Sequence, residues 1–212
     1  MNRKILNPAM MILFLLVMSF HFLPGISHEI FGVIMAVAAV IHVFINRRQL
    51  FNLMRGKISI RKIFAALIIF SATIIFIIIL ISGVCMSNYL FRDFIPMAIH
   101  RNMLIHQLHV SLPYIFMILI GCHIGLHWRE IFKIKNFMLQ KIFMAVIFCI
   151  GIYGSFLNRV GDRILMKHIF ATPATELSLI LFLIIIFSTT IIYAVIIFIL
   201  DEKIRLCKNK SK

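Results

Sequence analysis

Nine histidines are the residues of this sequence best suited to chemistry, and four of them repeat one spacing. His28 and His42 are 14 residues apart in one apolar stretch, and His109 and His123 are 14 residues apart in another. An α-helix completes about four turns in 14 residues, so each pair lies on one helix face, about 21 Å apart along the axis. The spacing predicts two helices, each carrying two imidazoles at two depths.

The two stretches are separated by one further apolar stretch, so they cross a membrane in the same direction. His28 is then level with His109 near the outer surface, and His42 is level with His123 near the inner surface. A b-type haem with two axial histidines requires two neutral imidazoles on opposite sides of a planar macrocycle, in an apolar slot between helices. The chain has no Cys-x-x-Cys-His motif for covalent attachment. We therefore expect two non-covalent haems b.

Two other interpretations of the histidines stay open. A histidine inside a membrane can also hydrogen-bond a neighbouring helix and so hold two helices together. A metal ion is a further possibility, but four ligands divided between two distant layers cannot complete one tetrahedral zinc or copper site.

Glycines and cations near the four histidines are candidates for the surroundings of the haems. Glycine permits a close approach of the macrocycle edge, and cations near the inner haem would neutralise propionates and raise its reduction potential. A pair of glycines four residues apart also fits ordinary helix packing. The candidates are Gly32, Gly121 and Gly125, the inner cations Arg47, Arg48 and Arg129, His127 as a propionate or quinone contact, and His106 as an alternative outer ligand.

The composition places the chain in a membrane. Of its 212 residues, 62% are hydrophobic and only 14% are charged, whereas a soluble domain is about 45–50% apolar. This excludes a soluble enzyme, a disordered chain and a nucleic-acid-binding domain, despite the net charge of +15. We expect an all-α integral membrane protein with lipid as its surroundings.

Six apolar stretches are long enough, or nearly so, to cross a bilayer, which needs about 20 residues. We expect six transmembrane helices, the second to fifth forming a four-helix haem-binding bundle, with the first and last wrapping this core against lipid and Trp128 as an interfacial anchor. Residues 1–26 hold the first helix, 27–157 the core, and 158–212 an outer loop, the last helix and a basic tail. The predicted spans are 5–23, 28–45, 63–86, 103–128, 137–157 and 177–200.

The distribution of cations orients the predicted helices. Of the 22 Lys and Arg residues, 17 lie on the side of the two termini and five on the opposite side. Because Lys and Arg accumulate in cytoplasmic loops, both termini are expected in the cytoplasm, in a bacterial-type inner membrane.

Three runs of residues resemble a cytochrome b-like family called domain of unknown function four-four-zero-five, some of whose members are called flavinylation-associated cytochromes. The runs are HEIFG at 28–32 ahead of His42, SGV at 82–84, and GCHIGLHW at 121–128. The resemblance covers about 27–157 and implies haem b and membrane electron transfer, without specifying donor or acceptor. More distantly, the helix plan is similar to the cytochrome b subunits of membrane formate dehydrogenases and nickel–iron hydrogenases.

The sequence therefore predicts a di-haem b-type cytochrome that carries electrons across the membrane, between the quinone pool and an extracytoplasmic redox protein. It would act as an electron-transfer subunit of a membrane oxidoreductase, without catalytic residues of its own. One alternative is a stand-alone quinone reductase that oxidises a small external reductant such as superoxide. Another is a non-redox transporter or metal-handling protein whose histidines bind ions or relay protons.

Overall fold

The structure is a computed structural model that describes residues 3–55, 59–131, 137–167 and 177–210. Every regular element within these ranges is helical, including two short 3-10 turns at Phe20–Phe22 and Arg92–Phe94. Several cations of the predicted cytoplasmic loops, among them Lys57, Lys133 and Lys135, lie outside the described residues. The α-helices are α1 (Arg3–Met18), α2 (Gly25–Met54), α3 (Ile60–Cys85), α4 (Met97–His100), α5 (Met103–Leu126), α6 (Trp128–Ile131), α7 (Phe137–Leu157), α8 (Val160–Ile164) and α9 (Leu179–Lys210).

Four helices are long and apolar enough to cross a membrane, which makes this a multi-pass helical membrane protein. They lie in α2, α3, α5 and α9, the second, third, fourth and last of the predicted spans. The first and fifth predicted spans correspond to α1, of 16 residues, and α7, of 21 residues, which are not among these four. Helix α1 is below the length of about 20 residues that a perpendicular helix needs to cross the hydrocarbon core.

The helices are arranged around α5, which packs along α3 on one side and along α9 on the other. Helix α7 packs along α9, and α1 packs along α2. Helix α2 touches α3 only lightly, so it stands off from the rest of the bundle. Helix α9 thus packs beside α5, and α7 reaches the bundle through α9; the haem-binding bundle of the second to fifth helices stays a prediction.

Helix α9 is the most enclosed of the membrane-crossing helices, contrary to the expectation that the last span faces lipid. In its apolar part 61% of residues are buried, against 28% for α5 and 6% for α3. Glycines of α5 and α7 create the space for it: a Cβ at Gly125 would lie 2.5 Å from the carbonyl oxygen of Ala194, and one at Gly151 would lie 2.5 Å from that of Ser188. Small residues let helix backbones approach closely in membranes, so α9 fits between α5 and α7.

Trp128 is a core residue and not the interfacial anchor that we expected. Its side chain is 1% exposed, and its indole stacks on Phe198 of α9 with ring centroids 5.8 Å apart. The short α6 turns this residue inward immediately after α5 ends. Trp128 therefore contacts α9 just after α5 ends.

Candidate functional site

The outer histidine pair joins α2 to α5. His28 lies in the first turns of α2 and His109 in the first half of α5. Their ring centroids are 6.1 Å apart and the ring planes are nearly perpendicular, at 89°. The two residues predicted to share the outer layer are therefore neighbours.

The inner histidine pair repeats this arrangement 14 residues further along both helices. The rings of His42 and His123 have centroids 6.3 Å apart, with an interplanar angle of 73°. The helical period thus carries both members of each pair to the same level. Both pairs lie where α2 stands off from α5.

The spacing of the rings suits a shared metal centre. An imidazole nitrogen binds a transition metal at about 2 Å and lies about 1 Å from its ring centroid, so two rings on opposite sides of one metal ion have centroids about 6 Å apart. The separations of 6.1 and 6.3 Å agree with this value. The donor set of each layer, two imidazoles, is the one that a bis-histidine haem takes from its protein.

Backbone carbonyls orient both rings of the outer pair. Nδ1 of His28 donates to the carbonyl oxygen of Val17 at 3.1 Å, and Nδ1 of His109 donates to that of Ile79 at 3.1 Å. A carbonyl oxygen only accepts, so each Nδ1 carries the hydrogen and each Nε2 is the nitrogen with the free lone pair. Metal-bound histidines commonly have their second nitrogen anchored in this way.

Residues at the end of α3 contact the His109 ring. The Ser82 hydroxyl lies 3.2 Å from Nδ1 of His109 and donates to the Ile79 carbonyl at 3.0 Å. A Cβ at Gly83 would lie 2.8 Å from Cε1 of His109, so the ring occupies space that a larger residue would fill. The carbonyls of Val17 and Ile79 were missed by the sequence analysis, because any residue type supplies a backbone carbonyl.

The inner pair has a different environment. Nδ1 of His42 is buried and has no hydrogen-bond partner among the described residues. The ring of His127 lies 5.2 Å from that of His123, so the predicted contact residue is adjacent to this pair. The two layers therefore share their ring spacing, but only in the outer one are both rings hydrogen-bonded to backbone carbonyls through Nδ1.

The predicted glycines divide between two interfaces. A Cβ added at Gly32 would meet nothing within 4 Å, so one turn beyond His28 there is open space beside α2. A Cβ added at Gly121 would collide with the carbonyl of Thr190, and one at Gly125 with that of Ala194, both on α9. Of the two roles considered for Gly121 and Gly125, helix packing accounts for their positions, because they face away from the histidines.

The remaining predicted residues lie near the ends of the helices. His106 is not the partner of His28, although its Nδ1 is buried without a hydrogen-bond partner in the described part of the chain. Arg47 places its guanidinium 4.3 Å from the centroid of the Phe44 ring, and Arg48 is exposed. Arg129 forms an ion pair with Glu202, and this hydrogen bond raises the pKa of Arg129. The inner rim of cations is therefore partly neutralised.

Arg61, at the start of α3, is a cation that the sequence analysis did not single out. Its Nε donates to the Asp201 carboxylate at 2.7 Å, and its second terminal nitrogen donates to the Leu126 carbonyl at 3.2 Å. It thereby joins the start of α3 to the end of α5 and to α9. Arg61 links these helices through Asp201, which lies 140 positions away in the sequence. The residues around Arg61 in the sequence do not indicate this pairing.

No protein-family model matches this chain, and no similar protein was found among curated sequences or solved structures. Among the residues that the structure describes, no group of three or more His, Cys, Asp or Glu side chains is arranged to hold a metal ion. Each layer brings two imidazoles together, so the geometry of the two pairs carries the functional argument.

Proposed function

We propose that this protein is a di-haem b-type membrane cytochrome that carries electrons from one face of the membrane to the other. The observation that supports it is the pairing of His28 with His109 and of His42 with His123 at nearly one centroid spacing. A single intramembrane histidine pair is compatible with helix–helix hydrogen bonding, but among the described residues no hydrogen bond joins His28 to His109 or His42 to His123. Two pairs at the spacing of a shared metal centre favour ligation.

The chain's part in this function is to hold four imidazoles in place. A haem in each layer would supply one-electron exchange at its iron. The outer carbonyls fix the tautomers of His28 and His109, so that each presents a lone pair at Nε2. If both imidazoles of a layer held the haem, its iron would be available for electron transfer and not for oxygen binding.

The axial separation of the layers suits passage across the membrane. Successive ligands on one helix are about 21 Å apart along the axis, a large part of the hydrocarbon thickness of about 30 Å. Electrons would therefore need two carriers in series, one close to each surface. Gly32 would leave room beside the outer layer, and His127 would contact a group bound at the inner layer.

The partners and the orientation belong to the same proposal. Both termini would lie in the cytoplasm, with α1 and α7 completing six spans of a bacterial-type inner membrane. The quinone pool and an extracytoplasmic redox protein would be the electron partners. Membership of the cytochrome b-like family named above would follow from the same four histidines.

The test is the haem content of the purified full-length protein. A pyridine haemochrome assay should give two haems b per chain, and acid acetone should extract both, because no covalent attachment motif is present. A stoichiometry near one haem per chain would mean that only one histidine pair binds haem. A value near zero, with no b-type absorption bands in membranes, would overturn the proposal in favour of a transporter or metal-handling protein.

A further inference from the structure

The carboxylate of Glu29, the residue next to His28, accepts four hydrogen bonds from one loop. Its Oε1 accepts from the backbone N–H of Asn88 at 2.7 Å and of Tyr89 at 3.2 Å. Its Oε2 accepts from the Ser87 hydroxyl at 2.8 Å and from the N–H of Leu90 at 2.8 Å. These four contacts, which we call the Glu29 clasp, attach the start of α2 to the chain that leaves α3.

The loop is held from several directions around the clasp. The Ser87 hydroxyl accepts from the N–H of Phe91 at 2.8 Å, and Ser87 is 2% exposed. The Tyr89 ring packs against Gly25, where a Cβ would lie 2.9 Å from the ring. Nε2 of His100 donates to the Asn88 side-chain oxygen at 3.2 Å. The loop therefore has one defined conformation against the first turn of α2.

The clasp joins the two helix ends that carry the outer histidine pair. Glu29 follows His28 directly, while the loop begins a few residues after Ser82 and Gly83, which contact the ring of His109. Helix α2 touches α3 only lightly along its length. The Glu29 clasp is therefore a polar link between the helix ends that carry His28 and His109.

We propose that Glu29 is a positioning residue of the outer histidine pair, which sets the distance between His28 and His109 by locking the 87–91 loop to α2. This inference rests on the proposed function, since the pair is the ligand set of the outer haem. An ionised carboxylate is required because it accepts at both oxygens and donates at neither. Glutamine has the same shape but would direct an NH₂ group at two hydrogen-bond donors.

The substitution Glu29→Gln tests the role without changing side-chain volume. The amide should weaken the hydrogen bonds of the Glu29 clasp, because bonds to a charged acceptor are stronger than bonds to a neutral one. We therefore expect amide hydrogen exchange at residues 88–90 to accelerate at least about tenfold. The outer haem should be lost about tenfold faster on dilution, with an altered spectrum, while the inner haem stays unchanged.

Glu202→Gln is the matched control, because it removes a carboxylate of the same size at the opposite end of the bundle. It should leave both the loop exchange and the outer haem unaltered. Ser87→Ala removes one of the four donors and should shift both quantities in the same direction by a smaller factor. This variant keeps the test informative if Glu29→Gln does not accumulate.

The outcomes separate the two proposals. Wild-type protein without haem would overturn the proposed function. Two haems in the wild type, together with an unchanged outer haem in Glu29→Gln and Ser87→Ala, would overturn the role of Glu29 alone. Equal loss of both haems in Glu29→Gln would also overturn it, because a positioning residue of the outer pair acts on one layer.

Discussion

The rings of His28 and His109 meet almost at a right angle with centroids 6.1 Å apart, while Nδ1 of each donates to a carbonyl of a different helix. Val17 of α1 restrains one ring and Ile79 of α3 restrains the other. Both rings therefore have a defined orientation in the protein itself. Ligands that are held in place lose less side-chain entropy on binding a cofactor than free ones do.

The two layers should be separable by mutation. Replacing His28 or His109 by Ala should remove the outer haem, because the outer layer would then supply one imidazole instead of two. Replacing His42 or His123 by Ala should remove the inner haem. Each variant should retain about one haem per chain by pyridine haemochrome, as expected when each layer has its own ligands.

His106→Ala and His127→Ala are the matched controls for these variants. Both residues neighbour a ligand, but each lies outside the two facing pairs. Each variant should retain two haems. If either one emptied a layer while the adjacent ligand variant did not, the assignment of ligands would be wrong.

The inner haem should have the higher reduction potential. A hydrogen bond from Nδ1–H to a carbonyl makes an imidazole a stronger donor to the metal, which favours the oxidised state. The outer rings have such bonds, whereas Nδ1 of His42 has no partner in the described residues. The exposed Arg47 and Arg48 act in the same direction, although Arg129 is paired with Glu202.

Redox titration of the two single-haem variants measures this difference. The haem left in His28→Ala, the inner one, should titrate at least about 60 mV above the haem left in His42→Ala, a tenfold change in a one-electron equilibrium. Electron flow from the outer to the inner face would then be downhill. A higher potential in His42→Ala would reverse that direction.

Gly121 of α5 should tolerate an added methyl group less well than Gly32 of α2. Gly121→Ala places a Cβ against the Thr190 carbonyl, and such overpacking costs about 1–3 kcal/mol. Gly32→Ala meets no atom within 4 Å and should be neutral or slightly stabilising, because alanine favours a helix. Unfolding in mixed micelles by a denaturing detergent measures both. Equal destabilisation would contradict the placement of α9 against α5.

The two adjacent acidic residues of α9 should contribute unequally to stability. Asp201 is 8% exposed and accepts from Arg61, which also bonds the end of α5. Asp201→Asn should cost about 1–2 kcal/mol, since Arg61 is partly exposed and screened by solvent. Glu202→Gln, at an exposed arginine, should cost less than about 1 kcal/mol. The same unfolding measurement compares the two variants. A larger loss of stability in Glu202→Gln than in Asp201→Asn would contradict the greater structural role of Asp201.

The sequence alone determined the levels of the four histidines. Two intervals of 14 residues on parallel helices bring the imidazoles to two depths whatever the detailed packing, because the helical rise and period are constant. This is why His28 met His109 and His42 met His123. The apolar composition likewise determined that the protein is helical and enters a membrane, since only helices and closed barrels satisfy their backbone hydrogen bonds there.

Tertiary structure decided which helices pack against α5. The apolar pattern of α9 is compatible with a lipid-facing helix and with a buried one, because lipid tails are as apolar as neighbouring side chains. Only the glycine-lined contacts place it between α5 and α7, where Phe198 stacks on the buried Trp128. The Val17 and Ile79 carbonyls and the loop bound by Glu29 also depend on the fold, because backbone groups have the same chemistry at every residue and acquire a role only through position.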